Sequence, residues 1–203
     1  MGRYTGPRAK IARRFGERVF ANVKTSKALE KRPNRPGQHG AKRVRKLSEY
    51  GEQLKEKQKA RFIYGMMEKQ FRLFFERARA QKGITGENLL RLCETRLDNV
   101  IYRMGIAPTR AAARQLVTHR HVTVNGKVCG IPSYIVSIGE TISLREKSRK
   151  LVAVEQSIEH SKVTVRWLTF DAATMQGSVT SLPTREEIPE QIDVQKIVEL
   201  YSR

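Results

Sequence analysis

The chain has 203 residues, with 40 Lys or Arg against 20 Asp or Glu, a formal net charge of +20 and a pI near 10.5. That imbalance calls for a polyanionic partner. A hydrophobic fraction of 39% fills the core of one or two modest domains but not a large catalytic body. No run nears the roughly 18 uninterrupted apolar residues of a membrane span, and residues 1–20 lack the apolar centre of a secretory signal. A soluble, cytoplasmic protein with no small-molecule substrate is expected.

Charge is concentrated at the start. Residues 1–46 carry fifteen Lys or Arg and only Glu17 and Glu30 as acids, among three prolines and five glycines. Scattered hydrophobes such as Ile11, Phe15 and Phe20 are too few for this segment to fold well alone, so it is expected to order on an anionic surface as an RNA-embedded extension. Over 47–82, Tyr50 and Leu54, then Phe71, Phe74, Phe75 and Ala78, recur at helical spacing on either side of Gly65. Two amphipathic helices are predicted, the first crowded with Lys55, Lys57, Gln58, Lys59 and Arg61.

Thr85 is placed to cap a long helix that turns Leu89, Leu90, Cys93, Leu97, Val100, Ile101 and Met104 inward and ends at Gly105. After Pro108, Thr109 can cap a shorter helix with Ala112, Ala113, Leu116 and Val117 inward. Period two then takes over. Val122 and Val124 lead into Asn125-Gly126 with Val128 beyond, the strongest short-range hairpin signal. Further strands are predicted at 134–138, 141–144, 163–170 and 177–182, and a helix over 149–160. Residues 183–203 hold five acids and three bases, so this end should avoid RNA. Its apolar positions Ile192, Val194, Ile197, Val198 and Tyr201 are expected to dock on protein, either the helical region or a neighbouring subunit. The fold class is α+β: a basic extension at 1–46, a mainly helical domain at 47–93 completed by 183–203, and a domain at 94–182 of helices followed by an antiparallel sheet.

Catalytic and metal chemistry find little support. Cys93 and Cys129 belong to no Cys-x-x-Cys or Cys/His group and are expected to be buried thiols rather than zinc ligands. His119 and His121 lack a third nearby ligand. No cofactor is expected.

The stretch RLDNVIYRMGIAPTRAAARQLVTHRHVTVNGKVCGIPSYIVSIGETISL, Arg96 to Leu144, closely resembles the S-four RNA-binding domain, whose core would span 94–157. The flanking segments MGRYTGPRAKIARRFG, LKEKQKARFIYGMMEKQF and IVELYSR are similar to the bacterial type of the small-ribosomal-subunit S-four family. The resemblance implies a structural protein that binds small-subunit (16S-type) rRNA as a primary binder and nucleates its five-prime domain. It further implies contacts with ribosomal proteins S-five and S-three and with mRNA where it enters the subunit, an influence on translational accuracy, and, in some members, repression of their own translation. Many relatives carry an N-terminal four-cysteine zinc site; with no cysteine before Cys93, a zinc-free version is expected here. The family often has Gly where Arg120 stands between the two histidines, a departure that adds a cation and removes backbone freedom.

Folded RNA is gripped through its backbone, 2′-hydroxyls and unstacked bases, which demands positioned cations more than a base code. Arg110 and Arg114, four apart behind the helix start at Thr109, should project together. Arg96 and Arg103 would extend that surface along the preceding helix, with Gln115 and Lys127 alongside. At the strand entrance His119 and His121 should point one way and Arg120 the other. In the extension the candidates are Arg3, Arg8, Lys10, Arg13, Arg14, Arg43 and Arg45; in the first helix, Lys55, Lys57, Lys59 and Arg61. Tyr4, Tyr64 and Tyr134 are candidates for stacking. Two other classes fit less well. An RNA-modifying enzyme such as a pseudouridine synthase needs a catalytic aspartate, but Asp98 sits beside Arg96 as a capping residue would and Asp171 has no nucleophile motif around it. A free RNA chaperone of the heat-shock type would be shorter and would lack the matching flanks.

Overall fold

The computed structural model describes residues 2–42, 46–160 and 165–202. In chain order, α1 (Arg8–Phe15), α2 (Val23–Lys31), α3 (Glu49–Ile63) and α4 (Glu68–Ala80) precede α5 (Thr85–Glu94), α6 (Leu97–Arg103) and α7 (Arg110–Thr118). Then come β1 (Val122–Val124), β2 (Lys127–Val128), β3 (Thr141–Leu144), α8 (Glu146–Arg149), α9 (Val152–His160), β4 (Leu168–Asp171), β5 (Gln176–Val179) and α10 (Val194–Tyr201). The chain divides into two compact units, residues 1–86 with 190–203, and residues 87–189.

In the first unit, α3 starts where the Ser48 hydroxyl accepts from the Gly51 N–H at 3.3 Å, and Glu49 and Glu52 in the first turn suit the positive end of the helix. Gly65, at φ 63°, turns the chain into α4, which buries Phe71, Phe74, Phe75 and Ala78 at spacings of three and four. The acidic-end helix α10 packs on α3. Tyr201 stacks on Phe75 with ring centroids 4.6 Å apart and donates to Glu68 at 3.0 Å, while Gln53 donates to Glu199. The basic segment at the start is helical rather than bare. Its few hydrophobes suffice because they share a core with α3: Tyr4, Phe15 and Phe20 all meet the ring of Phe62 edge-on.

The second unit folds its helices onto a five-stranded antiparallel sheet of order β2-β1-β3-β5-β4. Asn125 (φ 50°) and Gly126 (φ 78°) make the tight turn between β1 and β2. The core gathers Leu97, Val100 and Ile101 of α6, Ala113 and Val117 of α7, Val122, Ile142 and Leu144 of the sheet, and the wholly buried Trp167. Close packing requires Gly177: a Cβ there would lie 2.4 Å from the Thr169 carbonyl oxygen and 2.8 Å from the Met104 methyl.

Four expectations need correcting. The long helix from Thr85 to Gly105 is broken, because Arg96 is extended (φ −66°, ψ 139°) and bridges to Ile135. Residues 134–138 accordingly form no strand beyond that bridge. Their neighbourhood instead caps α6: the carbonyls of Tyr134 and Pro132 accept from the Leu97 and Asp98 N–H groups, and the Val136 N–H donates to Thr95. The later strands are short, β4 beginning at Leu168 and β5 ending at Val179, whereas the helix over 149–160 is present as α9, from Val152, after the separate short α8; Val163 and Thr164 of the predicted strand lie outside the described residues. Cys93 is buried as expected, but Cys129 is only half-buried.

Candidate nucleic-acid interface

Two carboxylates organise the helices of the second unit. Glu94, at the end of α5, takes both arms of Arg103, Nε at 2.8 Å and Nη2 at 2.6 Å. It also accepts from Asn99 at 2.7 Å, whose own side-chain oxygen accepts from Arg110 Nε at 2.6 Å. Asp98, in the first turn of α6, binds Arg96 through Nε at 3.0 Å and Nη2 at 2.6 Å and takes a third bond from Arg114 at 3.2 Å. The paired geometry suits the planar guanidinium. Arginine side chains at 0% (Arg96), 7% (Arg103), 14% (Arg110) and 11% (Arg114) exposure are thus turned toward acids inside the protein.

This changes the inventory of available cations. Arg96 is wholly buried and Tyr64 is 3% exposed, so neither offers surface to RNA, contrary to expectation. Arg103, Arg110 and Arg114 are engaged with Glu94, Asn99 and Asp98, and Arg110 also lies 4.6 Å over the Tyr102 ring. Thr109 caps α7 as predicted, accepting from the Ala112 N–H at 3.2 Å. Gln115, His119, Arg120 and Lys127 are exposed and His121 half-buried. Residues 119–121 are not a strand: His119 closes α7, and Arg120 adopts φ 61°, a left-handed conformation that suits glycine far better.

Around that turn the structure gathers cations absent from the sequence-based selection. Arg145 donates from its side chain to the Arg120 carbonyl at 3.3 Å and from its backbone to the His121 carbonyl at 3.0 Å. His121 Nδ1 lies 2.9 Å from the buried Ser148 hydroxyl. These bonds bring exposed Arg145, Lys147 and Lys150 to the α7–β1 turn. The run Arg-Glu-Lys-Ser-Arg-Lys over 145–150 was the available signal, since clusters of Lys and Arg mark nucleic-acid patches.

In the first unit, Arg3, Lys10 and Arg14 are exposed. Arg8 lies 5.8 Å over Phe20, and Arg13 donates to the carbonyls of Asn34 and Arg35. Lys55 is half-exposed, whereas Lys57 and Lys59 are 8% exposed and pair with Glu68 and Glu17. Arg61 lies 4.5 Å over the ring of Phe62. Arg43 and Arg45 fall outside the described residues. Of the other aromatic candidates, Tyr4 packs on Phe62, and the Tyr134 hydroxyl donates to Glu140 at 2.6 Å, a bond that holds its pKa above the usual value. Among the described residues no three His, Cys, Asp or Glu gather as metal ligands, and no helix is long and apolar enough to cross a membrane.

Known proteins place this arrangement in context. Residues 3–94 match the family described as Ribosomal protein S4/S9 N-terminal domain, and residues 95–142 match the S4 domain. The chain is 54% identical over 204 residues to the Small ribosomal subunit protein uS4 of Flavobacterium psychrophilum, with all of both chains covered. Proteins of the same name from Parabacteroides distasonis and Porphyromonas gingivalis are 55% and 52% identical over 206 residues, again with full coverage of both chains.

Proposed function

The chain belongs to the uS4 family of small-ribosomal-subunit proteins, and from that premise we propose that it is a structural, non-enzymatic constituent of the cytoplasmic small ribosomal subunit. Its partner there is small-subunit rRNA, gripped through backbone phosphates. The observation that carries this reading is the exposed cation cluster at the α7–β1 turn, where Arg120, Arg145, Lys147 and Lys150 accompany a domain of the S4 type, with exposed Lys127 at the tip of the β1–β2 hairpin. Arg103, Arg110 and Arg114 act behind it as positioning residues. In the first unit Arg3, Lys10, Arg14 and Lys55 supply further contacts, and the segment 1–46 carries the greater part of the net charge onto RNA. We read 94–182 as the module with the shaped RNA surface and the helical part, 47–93 with 183–203, as its companion.

The finer roles follow the same resemblance. As a primary binder the protein would nucleate the five-prime domain of the rRNA, contact ribosomal proteins S-five and S-three, border the path by which mRNA enters, and so influence accuracy; autorepression belongs to the same set of expectations. The chain has no cysteine before Cys93, so this member would do so without the N-terminal zinc site.

Filter binding to a small-subunit rRNA fragment across a salt series tests the core of the proposal. Affinity should fall steeply, each neutralised phosphate adding roughly 0.7–0.9 to the log–log slope. Replacing Arg120, Lys127, Lys147 and Lys150, whose side chains are exposed, with Ser should flatten that slope without lowering the melting temperature. A wild-type affinity that hardly responds to salt would count against the reading.

A further inference from the structure

Beside α3 the first unit contains a cleft of about 420 Å³, a size in the range of small-ligand pockets. We propose that this cleft holds one nucleoside-phosphate unit, its base against the Phe62–Arg61 stack and its phosphate among Arg14, Arg35 and Lys55.

The cleft uses the side of α3 that the helical core leaves over. Gly51, Leu54, Lys55, Gln58, Arg61 and Phe62 recur at spacings of three and four and all line it, whereas Gln53 and Lys57 turn to Glu199 of α10 and Glu68 of α4. Its opposite wall is Arg14 and Phe15 of α1 with Arg35. The backbone that carries Arg35 is tied to α1 by Arg13, which donates to the carbonyls of Asn34 at 2.9 Å and Arg35 at 3.3 Å.

Charge there is one-sided. Four cations line the cleft and no carboxylate does. Lys57 and Lys59 of the same helix are neutralised by Glu68 and Glu17, yet Arg14, Arg35 and Lys55 have no carboxylate within ion-pair distance among the described residues. Such a set of point charges and planar forks fits a phosphate. One further observation asks for more than an anion. The Arg61 guanidinium lies over Phe62, 4.5 Å from the ring centroid, and both side chains line the cleft, where a base can pack against them. The Arg61 Nε itself faces Glu68 at 3.9 Å, outside the cleft, which leaves the other three cations for the phosphate. An acidic peptide meets the charge but leaves the Phe62–Arg61 stack unused.

The inference deepens the RNA-binding reading and rests on it for the source of the nucleotide; a free nucleoside monophosphate presents the same chemistry. The test therefore has two arms, both on the full chain. In the first, chemical probing of small-subunit rRNA compares the wild type with Gly51→Leu, which fills the cleft without altering charge, and with Arg14→Ser/Lys55→Ser. Circular dichroism checks that both variants fold; a Cβ at position 51 makes only ordinary contacts, 3.4 Å or more from its neighbours. One or two nucleotides protected by the wild type should become reactive with either variant while the rest of the footprint persists, and affinity should weaken about three- to tenfold. In the second arm, AMP, UMP, inorganic phosphate and a poly-Glu peptide are titrated while the amide resonances of Gly51, Leu54 and Gln58 are followed. AMP and UMP should move them more than phosphate does.

If the wild type leaves no footprint on rRNA but AMP still moves those amides and Gly51→Leu abolishes the effect, the RNA reading fails and the cleft stands as a site for free nucleotide. Identical footprints from all three proteins overturn the proposal, as does a response to phosphate or to a poly-Glu peptide equal to that for AMP.

Discussion

Arg103 closes on Glu94 with two parallel hydrogen bonds, from Nε at 2.8 Å and Nη2 at 2.6 Å, in a setting where the carboxylate side chain is 1% exposed. The pair ties the end of α5 to the end of α6 across the extended link at Arg96, and Asn99 and Arg110 extend it toward α7. Removing one member of a buried pair strands the other charge. Glu94→Gln should therefore destabilise the second unit by about 3–5 kcal/mol in urea unfolding. Adding Arg103→Met should recover part of that loss; a single variant as stable as the wild type would show that the pair contributes nothing.

Arg120 holds φ 61°, a conformation that costs an L side chain about 1–2 kcal/mol. The position tolerates it because Arg145 clasps the Arg120 carbonyl and its backbone N–H donates to Val117. Arg120→Gly should raise thermal stability by about 1 kcal/mol, while reducing the salt slope of RNA binding by about one phosphate contact. Separate calorimetric and filter-binding measurements resolve the two effects, which run in opposite directions.

Burial by itself would push the Glu68 carboxyl up, but the Lys57 hydrogen bond and charge, the Tyr201 hydroxyl and Arg61 together hold its pKa below 4.5. A carboxylate with a depressed folded-state pKa adds stability that is present above its unfolded value and is lost as pH falls through the folded one. The docking of α10 should consequently weaken below about pH 4. Glu68→Gln should remove that part of the acid dependence, read as Tyr201 fluorescence against pH; an unchanged acid limb would refute the assignment.

Cys93 is fully buried, and desolvation pushes its thiol up to about 12. Cys129 is half-buried at the end of the hairpin. A thiol reagent at pH 8 should label Cys129 in the native protein and Cys93 only on unfolding. Equal labelling rates under native conditions would contradict the burial of α5.

Local chemistry made much of this molecule legible in its sequence. Helix α4 follows from apolar spacing after Gly65, the cap at Thr109 from a hydroxyl before a helical run, and the hairpin from Asn125-Gly126, because each depends on residues within a few positions of one another. Helix α3 is present as expected, but it leaves Tyr50 exposed and buries Gln53, Lys57 and Lys59 beside Phe62 and Ile63. The concentration of charge in residues 1–46 is likewise a property of the chain alone. Which arginines stand free was decided by tertiary structure. Arg96 and Arg103 look like Arg120 and Arg145 in the sequence, yet the first two meet Asp98 and Glu94 in the interior while the others stay exposed. The break at Arg96 depends on Ile135, and the cleft beside α3 on Arg14 and Arg35 arriving from outside that helix. Ion pairing and desolvation act through space, so they sort residues by what the fold brings beside them, and residue type and periodicity do not encode that choice.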